Sequence, residues 1–214
     1  MRILVFDTET TGLIPKRESI SNTNNWPHIV QLSWIIFDLT QKKIVKTEDY
    51  IVKCAVDIPE ESTKIHKISN SISQKLGIPI KEAIDLFEKD EKTCDKVVAH
   101  NLDFDKLMIM VECERLKYNH IFVKDYQALW ECCTMKESTE YCNIVRLRKN
   151  NSSYVKYPSL TELYFKLFEK KPVGVHNSLV DSLVCLRCYL KFKHNIDLLE
   201  DTENKDIFDK YITN

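Results

Sequence analysis

Ile3-Leu4-Val5-Phe6-Asp7-Thr8-Glu9-Thr10-Thr11-Gly12 is the stretch from which the fold is read. Four consecutive apolar residues followed by a Thr/Gly turn predict a short, fully buried strand. Asp7 and Glu9, two positions apart on it, point to the same face. Two carboxylates crowded at the end of a buried strand repel each other and lose hydration, so a positive charge belongs between them. An all-oxygen ligand set favours a hard cation, Mg²⁺ or Mn²⁺. Taken alone, the pair also fits two solvated acids at a strand end.

Outward from this strand, residues 14–28 read as an exposed loop. Residues 29–38 and 44–53 read as a second and third strand joined by a hairpin-type connection at 40–43. Residues 59–92 read as helical pieces near 60–66, 71–75 and 80–89, punctuated by Pro79. A short buried strand at 97–99 precedes an amphipathic helix at 102–116. Residues 127–143 are expected to be helical, and 144–158, with Arg146, Arg148 and Lys149, a basic surface loop. A helix at 160–168 has Ser159 as N-cap and Glu162 in its first turn. A final helix covers 177–192, and a polar tail follows with one last turn at 206–212. Three strands followed by alternating helices and short strands predict one α/β domain around a mixed sheet. It would span residues 1–195, with 196–214 a partly helical tail.

Composition narrows the function. The chain has 214 residues, a formal net charge of −1 and only three glycines, Gly12, Gly77 and Gly174. Average usage of about 7% would give roughly 15. No G-x-G-x-x-G and no G-x-x-x-x-G-K-[ST] can be written, which excludes glycine-loop NTPases and dinucleotide-dependent dehydrogenases. No apolar run approaches the ~20 residues of a membrane helix, and no secretory signal is evident. Eight cysteines at irregular positions then point to reduced thiols in an intracellular, cytoplasm-like compartment. Cys185 and Cys188 form a C-x-x-C without a second pair at zinc-site spacing, which favours buried core thiols.

Two more pieces carry chemistry. His100-Asn101-Leu102-Asp103-Phe104-Asp105 opens a helix directly after a short strand, where α/β sheets gather ligands. Asp105 alone fits a helix-dipole partner as well. His176 precedes the last helix and Asp181 lies in that helix's first turns; alone they read as a surface pair. A cysteine nucleophile at Cys133 paired with His100 has no orienting third residue.

In order and spacing, FDTETTG (6–12), HNLDFD (100–105) and HNSLVD (176–181) resemble the three motifs of the DEDDh (DnaQ-like) 3′–5′ exonuclease family, which includes the proofreading epsilon subunit of bacterial DNA polymerase III. Weaker echoes are PHIVQLSW (27–34), CTMKEST (133–139) and IHKIS (65–69), in which Lys67 stands where the family's H-G-I turn has glycine. The resemblance runs from about residue 1 to 193. It implies an RNase H-like fold, a five-stranded mixed sheet flanked by helices. It also implies two divalent cations, Mg²⁺ or Mn²⁺, held by Asp7, Glu9, Asp105 and Asp181, with His176 as general base; imidazole titrates near neutrality and suits that role. Asp103 is not among the four.

The same resemblance places Thr10, Thr11, Leu13, His66, Asn101 and Phe104 at the terminal nucleotide, although Leu13 and Phe104 also fit ordinary core packing. Trp26, Trp130 and Tyr157 are further stacking candidates. Arg146, Arg148 and Lys149 fit either backbone phosphate or a solvated loop. The implied partner is the 3′ end of single-stranded or frayed nucleic acid, DNA or RNA, with a polymerase or repair complex as a family-based setting. A non-catalytic binding module of the same fold is the alternative.

Overall fold

The computed structural model describes residues 1–118, 121–124 and 127–212. Its centre is a five-stranded sheet of order β3-β2-β1-β4-β7. β1 (Arg2–Thr10), β2 (Ile29–Asp38) and β3 (Lys43–Ile51) form an antiparallel meander. β4 (Lys96–Ala99) joins β1 in parallel, and β7 (Trp130–Cys133) joins β4 in parallel. β5 (Val123–Lys124) and β6 (Gln127–Ala128) make a separate two-residue ladder. The mixed sheet and flanking helices are those that the motif resemblance implies.

Strand parity sorts the core into two layers. Leu4 and Phe6 face one side of the sheet with Trp34, Phe87, Met108 and Val111. Phe87 and Met108 come from α3 (Ile80–Glu91) and α4 (Leu102–Leu116). The Phe87 ring meets Phe6 edge-on at 5.3 Å and Trp34 at 5.4 Å, a favoured aromatic geometry. Ile3, Val5, Ile35 and Phe37 face the other side, against α7 (Leu160–Phe168) and α8 (Ser178–His194). Every residue of β2 is buried, because both faces of the sheet are covered.

The helices at 60–66, 71–75 and 80–89 are α1 (Glu60–His66), α2 (Asn70–Leu76) and α3, and α4 takes the expected bounds. Ser159 caps α7 in a reciprocal capping box with Glu162. All eight cysteines are buried thiols, Cys185 and Cys188 within the α8 core layer.

Three expectations are corrected. Residues 127–143 are not one helix. They hold β6, β7 and two four-residue helices, α5 (Thr134–Glu137) and α6 (Thr139–Cys142). Pairing of Val98 with Cys132 and Ala99 with Cys133 completes the sheet; long-range pairing outweighs local helical pattern here. Residues 144–158 are not an irregular loop but carry a hairpin, β8 (Val145–Leu147) with β9 (Ser153–Val155). Beyond residue 195 the chain forms a longer helix than the single turn at 206–212, α9 (Thr202–Ile212), with Phe208 and Ile212 in the core. Asn204 on α9 accepts from the Ile44 N–H and donates to the Lys42 carbonyl, covering part of the β3 edge. The last two residues, 213 and 214, lie outside the described residues. Among the described residues no helix is long and apolar enough to cross a membrane.

Candidate active site

β1 ends where the site begins. The odd-numbered Asp7 and Glu9 follow Ile3 and Val5 onto the α8 side of the sheet, and α8 places Asp181 opposite them. One carboxylate oxygen from each of Asp7, Glu9 and Asp181 lies within 4.8 Å of the others. Asp105 arrives from the other side, in the first turn of α4. The even-numbered Thr8 faces it and binds its Oδ1 twice, through the backbone N–H at 3.0 Å and through Oγ1 at 2.8 Å. Asp105 is therefore outside the compact triad, yet its charge still bears on Asp7 and Glu9.

The electrostatics are those of a crowded acidic site. Burial raises Asp7 well above the usual carboxylate range, and repulsion from Asp105, Asp181 and Glu9 adds to this. Burial, with Asp181 and Asp105 close by, pushes Glu9 up to about 8. Burial also raises Asp105, against the lowering effect of the Thr8 donors. Asp181 is raised by burial and held back by the His176 N–H, which donates to its Oδ2 at 3.0 Å. Such a set of oxygen donors, costly to ionise together, fits a hard divalent cation.

α8 is anchored by a polar network under the site. Ser178 donates its N–H to Gln31 Oε1 at 3.2 Å, and its hydroxyl contacts that of Ser33. Gln31 Nε2 and Ser33 Oγ both donate to Asp49 Oδ1. Gln31 stands directly across from Glu9 in the β1–β2 register, so this network ties the helix of Asp181 to the strand beside Glu9. Asn177 caps α8 by accepting from the Val180 N–H.

His176 is exposed in the loop before α8, at a left-handed φ of 70°. Its backbone is fixed by the bond to Asp181, and its charge bears on that carboxylate while the residue stays exposed. His100 is committed elsewhere: Nδ1 pairs with Thr134 Oγ1 and Nε2 with the Pro158 carbonyl, both at 3.0 Å, and burial pushes it down to about 4. Asp103 is exposed and paired with Lys136.

Beside Glu9 opens a cavity of about 210 Å³. Thr10, Leu13, His66 and Phe104 line it, as do Thr8, Gly12, Ser62 and Ile65. Leu13 is 86% exposed, too open for core packing. The His66 ring is buried and accepts from the Ile68 N–H through Nδ1, so it forms wall rather than a projecting stacking platform. Two expected contacts do not line the cavity. Thr11 is a clamp, exchanging hydrogen bonds with His28 and accepting from Ser62. Asn101 opens α4 in a left-handed conformation. Trp26 is core, its Nε1 bonded to the Ser19 carbonyl. Trp130 is exposed at the start of β7, the end that pairs with Lys96, away from the carboxylates. Ser62, Ile65 and Thr8 were not singled out in the sequence. Ser62 and Ile65 share a helical face with His66 by spacing. Thr8 lies on the opposite strand face from the acids, where only the position of α4 gives it a role.

Lys67 closes α1 at φ 65°, in the left-handed conformation that glycine adopts freely. The turn under His66 is thus kept at a cost. Relief of ~1–2 kcal/mol of strain, less the ~0.5–1 kcal/mol entropy penalty of glycine, makes Lys67→Gly stabilising by about 0.5–1 kcal/mol. Urea unfolding checks this; a lower midpoint in the variant contradicts it.

Comparison with known proteins bears on this geometry. A family model described as exonuclease (RNase T) matches residues 4–189. The chain belongs to that exonuclease family. Membership implies divalent metal ions, for which the acidic triad is the matching donor set. A search of curated proteins by sequence gives no match. Among solved structures the chain is similar to Escherichia coli exonuclease I in complex with a dT13 oligonucleotide, 13% identical with a TM-score of 0.66, covering 98% of this chain and 43% of that one. It is also similar to the dA16 complex of that enzyme, 12% identical with a TM-score of 0.65, covering 91% and 41%. These likenesses show a shared fold, and the chain spans about two fifths of the exonuclease I length.

Proposed function

We propose that this chain is a 3′–5′ exonuclease that hydrolyses phosphodiester bonds at the 3′ end of single-stranded or frayed nucleic acid, DNA in preference to RNA, releasing nucleoside 5′-monophosphates. The observation that carries it is the meeting of Asp7 and Glu9 with Asp181, from opposite ends of the chain, within 4.8 Å. Asp7, Glu9, Asp105 and Asp181 would hold two divalent cations, Mg²⁺ or Mn²⁺. When bound, these supply Lewis-acid neutralisation of the phosphodiester and ease deprotonation of water.

The chain's own residues do the rest. His176, free at the lip of the site, accepts the proton of the attacking water on an imidazole nitrogen and passes it to solvent. The cavity beside Glu9 takes the terminal nucleotide, with Leu13 and Phe104 as apolar contacts and Thr10 at its backbone edge. DNA is favoured because the similar solved structures hold deoxyoligonucleotides. In a replication or repair complex, this polarity would remove faulty 3′ ends. Eight buried thiols suit a reducing intracellular compartment.

The test is digestion of 5′-labelled DNA and RNA, each single- and double-stranded, with Mg²⁺ or with chelator. Progressive shortening from the 3′ end in Mg²⁺, fastest on single-stranded DNA and absent in chelator, is expected. Intact substrate in every metal-containing lane refutes the enzymatic reading, and faster RNA shortening refutes the DNA preference.

A further inference from the structure

The β8–β9 hairpin is unusual in being exposed along all six strand residues. An isolated two-stranded ribbon is marginal in water, and this one shows Leu147 at 72% exposure. Residues 144–158 contain Arg146, Arg148, Lys149 and Lys156 and no carboxylate, in a chain whose net charge is −1. Only Lys156 has an ion-pair partner among the described residues, Glu162.

Pairing arranges the remaining cations. Arg146 lies directly across from Tyr154, and the Arg148 guanidinium lies over the Tyr154 ring at 4.9 Å from its centroid. By strand parity Arg146 and Arg148 thus share one face of the ribbon with the exposed Tyr154, and the Arg148 guanidinium covers its ring. The base of the hairpin is tied to the end of the sheet that carries the acids. It continues through the exposed Tyr157 to Pro158, whose carbonyl accepts from His100 Nε2 at 3.0 Å. His100 immediately precedes the segment that carries Asp105.

We infer that the Arg146–Tyr154–Arg148 face is a second nucleic-acid contact, holding the single strand upstream of the 3′ end through two phosphates and one stacked base. The inference rests on the nuclease reading for its substrate. Guanidiniums suit phosphate oxygens, and aromatic rings accept any base, so such a comb is sequence-tolerant. It lies outside the terminal-nucleotide cavity, so it governs strand affinity and not bond cleavage.

The test measures binding in chelator, so that nothing is cleaved. Fluorescence anisotropy follows 5′-labelled oligothymidylate and oligouridylate of ~20 nucleotides, long enough to reach past a terminal subsite. The double variant R146E/R148E is expected to raise Kd at least ~10-fold and to shrink the log–log salt slope by about 1.4, two contacts at about 0.7 each. Tyr154→Ala is expected to weaken binding while leaving the slope unchanged. Hydrolysis of a trinucleotide in Mg²⁺ stays at the parental rate in both variants. Parental affinity and slope in both variants overturn the contact, as does failure of the parent to bind either strand. If the parent binds through the hairpin yet cleaves nothing in Mg²⁺, the contact stands and the enzymatic reading falls.

Discussion

Asp7→Asn is expected to lower 3′-end hydrolysis on the order of 10³-fold, equivalent to ~4 kcal/mol of transition-state stabilisation, while making the metal-free protein more stable. The two effects have one cause. Asp7 is raised by burial first, then by three neighbouring carboxylates. Its ionised form is poorly tolerated without a cation, so the neutral amide removes a liability from the folded state. A gain of about 1 kcal/mol would lift Tm by ~2–4 °C in a chain of this size.

Divalent metal reverses the order. A cation bound only by the folded parent adds ~2.7 kcal/mol at a hundredfold excess over its Kd. Asp7→Asn loses most of that gain. Melting curves in chelator and in Mg²⁺, beside the labelled-substrate assay, read all three effects. Parental hydrolysis by the variant removes Asp7 from the site. A lower Tm in chelator means that its carboxylate is satisfied within the fold, and the metal argument loses its electrostatic basis.

The sequence was legible where local pattern and final environment agree. The run before Asp7 is apolar on both faces because helices cover both faces of the sheet, so burial and pattern coincide. Ser159 and Glu162 announce α7 because a capping box is a local interaction. β7 was not legible: Trp130–Cys133 is short, and pairing with β4 alone makes it a strand. α9 was under-read because Phe208 and Ile212 gain meaning only once α8 and β3 are beside them. Within the site, the parity of Asp7 and Glu9 could be read directly. That Asp105 comes from the opposite layer, steadied by Thr8, depends on which face α4 covers. That Leu13 is exposed and His66 a buried wall of the cavity was not legible either, because exposure is set by neighbours more than by residue type.

The pH dependence of stability offers a second large effect, separable by metal. Without metal, burial and the nearby Asp181 and Asp105 push Glu9 up to about 8 in the folded protein, against about 4.3 when unfolded. Between those values the folded state holds a proton that the unfolded chain has released, so stability falls as pH rises. The contribution is fully present below the unfolded value and is lost as pH climbs through 8. Asp7, raised likewise, adds to the same slope. Other groups act elsewhere. Burial lowers His66 and His100, so they make stability rise with pH, but only up to ~6.5 where unfolded imidazole titrates. Asp197 and Glu162 are held low by their cationic partners Arg187 and Lys156, against burial, and matter only below ~4.5. Thiols raised by burial pull the same way as the acids, chiefly above pH 8 as their unfolded value of ~8.5 is approached. The acidic site is therefore read in the window between pH 7 and 8, with Glu9→Gln as the control that separates it from the thiols. There the chelated protein is expected to lose about 1 kcal/mol per titrating carboxylate, a fall in Tm of ~2–4 °C for each. Saturating Mg²⁺ should oppose the trend, because metal binding needs the carboxylates ionised and its stabilisation grows with pH. Glu9→Gln should flatten the chelated curve. A chelated Tm that stays level across the window, or that climbs, would show that these carboxylates are already ionised at neutrality and need no cation between them.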